Sequence, residues 1–114
     1  MPKAPASVAS SLPPAPPARP LLSGAEIVAL VARGDALFGK GDLAAARLVY
    51  EHAADAGDGQ AALRLGETFD PVFLDHAHLS GVPGDSGTAM SWYRRARELG
   101  AADADVLIKS LEAK

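Results

Sequence analysis

The 114-residue chain has no cysteine, few aromatic residues and no long apolar run. Without cysteine it forms no disulfide, no thiolate metal site and no cysteine nucleophile, an absence compatible with either side of a membrane. Aromatics make up 5% of a chain that is 48% hydrophobic. Much of that fraction is alanine, so close backbone approach must replace large side chains, which favours helices over a sandwich or barrel. No apolar stretch approaches the roughly 18 residues a spanning helix needs. Positive charge is also scarce: the net charge is -3, and residues 26 to 114 hold about -5 because Lys3 and Arg19 lie in an acid-free front segment. Nucleic acid is therefore not an expected partner, since binding it needs a basic footprint.

What is present divides in two. Residues 1 to 21 are rich in proline and alanine, with Pro13, Pro14, Pro16 and Pro17 interrupting any stretch that would serve as a signal core. They read as a disordered linker of extended polyproline II character. The Pro-x-x-Pro spacing would suit an SH3-type ligand, with a plain spacer as the simpler alternative. A linker that joins nothing on its N-terminal side suggests that the chain is cut from a longer protein. That would leave a periplasmic location open beside the favoured cytoplasmic one.

Residues 22 to 114 read as one helical domain. Ser23 and Glu26 have capping-box spacing, and Ile27, Leu30, Val31, Gly34, Leu37 and Phe38 follow at helical intervals until Gly39-Lys40-Gly41. Asp42 starts a second helix with Leu43, Ala46, Val49, Tyr50 and Ala53 on one face, closed by Gly57. A link of about three residues makes these two an antiparallel hairpin. A third helix, from Asp58 or Gln60, must stop before Asp70-Pro71 because a residue preceding proline avoids the helical region. One short turn is expected around Phe73 to His78, then the loop Ser80-Gly81-Val82-Pro83-Gly84. Asp85 or Ser86 caps the next helix, with Ala89, Trp92, Tyr93, Ala96 and Leu99 buried and Gly100 as its stop. A last helix follows from about Asp103.

Ala46, Tyr50, Ala53 and Gly57 recur as Ala89, Tyr93, Ala96 and Gly100, 43 positions later at the same spacing. Gly34 and Gly66 are only 32 apart, so an insertion lies between the third helix and the helix after Asp85. Small residues at a crossing let backbones approach while the facing aromatic fills the space beside them. One hairpin cannot bury its face alone, so neighbours must stack on it.

Leu30, Gly34, Gly41, Ala46, Tyr50 and Ala53 resemble the pattern of a tetratricopeptide hairpin. Leu65-Gly66 with Phe69, then Gly81-Val82, Asp85, Ala89, Trp92-Tyr93, Ala96 and Gly100, resembles the Sel1-like subfamily. The departures are residues 70 to 80 ahead of Gly-Val, and Phe69 where tyrosine is usual. The resemblance implies an all-α fold: a short right-handed superhelix of about two hairpins plus a C-terminal capping helix. Lys109, standing where a close-approach glycine would be, marks the end of the stack. The abundance of alanine, glycine and arginine points to a GC-rich bacterial genome.

The resemblance also implies a protein-interaction scaffold and not an enzyme, with the first helix of each unit on a concave face that receives a peptide or partner helix. That groove would show Val28, Val31, Asp35 and Phe38, then Gln60, Leu63, Glu67 and Asp70, then Asp103 and Val106. Its acids suggest a partner segment with basic and apolar residues, the alternative being that they only solvate a short array. The lysine and asparagine set that grips a C-terminal carboxylate in chaperone-binding relatives is missing. A self-association or docking module is the alternative function, since a short stack leaves apolar ends that a homodimer would cover. A metal site at His76 and His78 with Asp70 or Asp75 is the remaining alternative. No serine sits in a nucleophile elbow and Gly81 to Gly84 lack the lysine of a phosphate loop, so neither catalytic nor cofactor residues are expected.

Overall fold

The computed structural model describes residues 22–79 and 81–113. Among these, the chain forms six helices and no strand: α1 (Gly24–Gly39), α2 (Leu43–Asp55), α3 (Gly59–Phe69), α4 (Pro71–His76), α5 (Ser86–Glu98) and α6 (Ala104–Glu112). The linker reading of residues 1 to 21 lies outside the described residues.

Most of these helices begin where a side-chain oxygen takes up the loose N–H groups of the first turn. At α1 the arrangement is reciprocal: Glu26 N–H donates to Ser23 Oγ at 3.1 Å, and Ser23 N–H donates to Glu26 Oε1 at 2.8 Å. Asp42, Asp58 and Asp85 accept from Ala45, Ala61 and Thr88 N–H at 3.2, 2.9 and 3.2 Å, the first two caps worth about 1 kcal/mol each. The Thr88 N–H, and then the Thr88 hydroxyl, donate to Asp85 and hold its carboxyl below its ordinary range.

The helix ends explain the short links. Gly41, Gly57 and Gly100 adopt φ of +83°, +100° and +99°, a left-handed turn that costs glycine little. The next residue's N–H can then reach back into the helix: Asp42 to Leu37 O, Asp58 to Ala53 O and Ala101 to Ala96 O, at 2.9, 3.2 and 2.9 Å. Asp42 and Asp58 thus finish one helix with the backbone and start the next with the carboxylate. Three residues therefore suffice to turn α1 into α2 and α2 into α3 as packed neighbours.

The helices pack in the order α1, α2, α3, α5, α6, which places α3 between α2 and α5. Consequently Ala61, Ala62, Leu63, Leu65, Gly66 and Thr68 of α3 are buried, whereas Gly34 alone is buried in α1. Two crossings hold the arrangement. A Cβ on Gly34 would fall 2.3 Å from Tyr50 Cε1, and one on Gly66 would fall 2.6 Å from Tyr93 Cδ1. Each tyrosine ring thus abuts a glycine, with fully buried alanines on the same helix: Ala46 and Ala53 at the first crossing, Ala89 and Ala96 at the second. Arg47 of α2 clamps the end of α3 by donating to Thr68 O at 2.6 Å, with its guanidinium 3.9 Å from the Phe69 ring centroid. In α6, Ile108 is buried and Lys109 is exposed.

The insertion is a closed excursion. Asp70 is extended (ψ 114°) ahead of Pro71, which ends α3. The expected turn at Phe73 to His78 is displaced: α4 starts at Pro71 because Asp70 caps it and the proline ring presets helical φ at the first position. Two residues past its end, His78 takes φ +62° where the other linkers use glycine, and Leu79 N–H bonds back to Leu74 O at 2.7 Å. Asp85 N–H then donates to Phe69 O at 2.7 Å. The chain leaves α3 and returns to the same point, so α5 starts close to where a short link would have placed it. No helix among the described residues is long and apolar enough to cross a membrane.

Candidate partner-binding cleft

Helices α1 and α3 leave a cleft of about 350 Å³ between them. Ile27, Val28, Val31, Ala32 and Asp35 line it from α1, with Asp58, Gln60 and Arg64 opposite. Its α1 wall is aliphatic for the first two turns and acidic at the third. Val28 is 69% exposed, a large apolar side chain left facing solvent at the cleft's edge.

Asp35 is the hub of the polar end. Tyr50 Oη donates to its Oδ1 at 2.5 Å, and Arg64 Nε lies 3.5 Å from the same oxygen. The Arg64 Nε makes no hydrogen bond even though that atom is buried, so the pair is an ion pair with poor bonding geometry. Burial, then the bond to Asp35, pushes the Tyr50 phenol far above its ordinary range. Glu67, one turn beyond Arg64, is pushed up from an ordinary 4.5 to about 7, first by burial and then by the charges of Asp70 and Asp35, against the lowering effect of Arg64. The far side of Glu67 is occupied by a second phenol–carboxylate pair, Tyr93 Oη donating to Asp70 Oδ2 at 2.7 Å.

The expected groove residues divide accordingly. Val28, Val31, Asp35 and Gln60 line the cleft together. Phe38 lies one turn past Asp35 and stacks on Phe73 of α4, ring centroids 5.6 Å apart. Glu67 is part-buried beyond Arg64. Leu63 and Asp70 are corrections. Leu63 is buried because α3 is covered from both sides, and Asp70 is 2% exposed, its carboxylate taken by Tyr93 and by Val72 and Phe73 N–H at 2.9 and 3.5 Å. Asp103, at the start of α6, and Val106, exposed on α6, do not line the cleft. Arg64 was not singled out from the sequence, although its spacing from Gln60 and Glu67, four and three residues, places all three on one helical face.

No family model, curated protein or solved structure matches the chain. A functional reading therefore rests on the chain's own geometry.

The alternative metal site is not formed. Among the described residues no three histidine, aspartate or glutamate side chains gather to hold an ion. His78 is the left-handed residue two past the end of α4 and His76 belongs to its last turn, both exposed, while Asp70 is buried in its capping role. A second cavity, about 450 Å³, lies under the insertion between Pro71, Val72, Leu74 and the loop Val82 to Gly84.

Proposed function

We propose that the chain is a tetratricopeptide/Sel1-like array of αα-hairpins, wound as a short right-handed superhelix, that serves as a protein-interaction scaffold and not as an enzyme. The observation that carries this reading is the cleft between α1 and α3. It lies between the first helices of successive hairpins, where the resemblance implies a concave receiving face, and it gathers Val28, Val31, Asp35 and Gln60. The two glycine–tyrosine crossings and the matching Gly57 and Gly100 turns support the repeat assignment.

The partner is a peptide or helix with apolar and basic residues, matched to aliphatic walls and an acidic end. Selection of a random peptide library on the intact chain tests this, with chemical-shift mapping of the selected peptides. Enrichment of lysine- and arginine-bearing apolar sequences that perturb α1 and α3 is the expected outcome. Selected peptides that perturb only other surfaces would contradict it. Self-association is the second reading, favoured by Val28 and Val106 standing 69% and 70% exposed on the first and last helices. A sedimentation coefficient that rises with concentration, and ceases to rise in Val28→Ser or Val106→Ser, would favour it.

A further inference from the structure

We infer that the cleft between α1 and α3 is a blind socket for one lysine or arginine side chain of a partner segment, closed at its inner end by the insertion. The inference rests on the scaffold reading and sharpens it, because an open groove would let a peptide or helix run through. Val28, Val31, Asp35 and Phe38 are spaced three, four and three apart, so they form one stripe on α1. From Val28 to Asp35 the stripe extends about 10 Å at the rise of an α-helix. The next position is Phe38, and there the stripe meets Phe73, whose ring stacks on it at 5.6 Å. Phe73 belongs to α4, which starts at the end of α3 through the Asp70 cap. The insertion thus reaches from the end of α3 to α1, and the stacked rings stand one turn past Asp35, where they would close the far end of the cleft.

The chemistry of the socket selects a cation on an aliphatic stem. Val28, Val31 and Ala32 offer an apolar path along which methylene groups can lie while the charged head stays at the polar end. At that end both the Tyr50 bond and the Arg64 ion pair fall on Asp35 Oδ1, which leaves Oδ2 for a further donor. The side chain of Asp35 is 44% exposed, so a partner can reach it. Charge favours a cation more widely: residues 22 to 70 carry eight carboxylates against four basic side chains, whereas α5 alone carries Arg94, Arg95 and Arg97.

The test uses the intact chain and a short capped peptide bearing a single lysine between alanines and leucines, followed by chemical shifts and titration. Perturbation is expected at Val28, Val31, Asp35 and Gln60. Replacing the lysine by norleucine, or Asp35 by asparagine, should weaken binding about fivefold, the two changes together costing no more than one. Phe73→Ala, with helicity checked by circular dichroism, should remove the end wall and make a longer helical version of the peptide bind better than the short one, a gain absent from the parent chain. Equal binding of the lysine and norleucine peptides, or a length preference unchanged by Phe73→Ala, would overturn the socket while leaving the scaffold reading intact. Perturbation by no peptide at the cleft would overturn both.

Discussion

The two hairpin crossings share a glycine and a tyrosine and differ in the acid that receives the phenol. At Gly34 and Tyr50 the acceptor is Asp35, one residue after the glycine and 44% exposed in its side chain. At Gly66 and Tyr93 the acceptor is Asp70, four residues after the glycine and buried. Glu67, which follows Gly66 as Asp35 follows Gly34, takes no part in the second bond. The glycine and the ring set how closely the helices approach, both crossings being buried, and the neighbouring acid decides whether the polar end of the crossing is open to solvent or sealed. The sealed version exists because Asp70-Pro71 breaks α3 and places the carboxylate at the start of α4. The open version leaves an acid available to a partner.

This contrast can be broken most forcefully at the glycines. Gly66→Ala should destabilise by about 3 kcal/mol, because its Cβ meets the Tyr93 ring and lies 3.2 Å from Ala89 O on a helix covered from both sides. Gly34→Ala should cost about half of that, since α1 packs on one side and can shift away. Urea unfolding of the two variants measures the difference, and equal losses would erase the distinction between centre and edge.

Removing the phenol oxygen is the next step down. Tyr93→Phe leaves Asp70 buried with one donor fewer and should cost about 2 kcal/mol, whereas Tyr50→Phe leaves an acid that water can reach and should cost under about 1 kcal/mol. Thermal melts of the pair give both values.

Glu67, between the crossings, carries the pH dependence. Its folded pKa of about 7 lies above an ordinary 4.5, so the fold favours the protonated form. That contribution is fully present below about 4.5 and is lost as pH rises through about 7. Glu67→Gln should therefore flatten the stability profile between those values and leave the variant more stable than the parent at pH 8, as read from melts across the range.

The smallest effect concerns the insertion. His78→Gly should stabilise by about 0.5 to 1 kcal/mol by relieving a left-handed non-glycine residue, whereas Gly57→Ala at the matching turn should destabilise by about 1 kcal/mol. Melts of the two variants should move in opposite directions.

The helices were legible in the sequence where their ends were chemically marked: Ser23 with Glu26, Asp42, Asp58 and Asp85 at the starts, and Gly41, Gly57 and Gly100 at the stops. The tyrosine repeat and the position of the insertion were legible from spacing alone. The inner face of α3 was not. Along α3 the register Gln60, Leu63, Glu67, Asp70 and the observed Gln60, Arg64, Glu67 are equally periodic, so spacing alone does not choose between them. Asp70 reads as a surface acid until its partner Tyr93, 23 residues away, is brought against it. Phe73 gave no hint that its ring would stack on Phe38, because that contact exists only once the insertion folds back across α1.

On the proposed reading, Asp35 serves a partner whereas Asp70 serves the fold. Thermal melts of Asp35→Ala and Asp70→Ala, each with and without the lysine peptide, test it most directly. Asp70→Ala should lose about 3 kcal/mol through its cap and the orphaned Tyr93 hydroxyl but still be stabilised by the peptide. Asp35→Ala should lose only about 1 kcal/mol, because it orphans the Tyr50 hydroxyl but removes no helix cap, and should lose most of the peptide's effect. Equal destabilisation by the two substitutions, with the peptide acting on both alike, would contradict it.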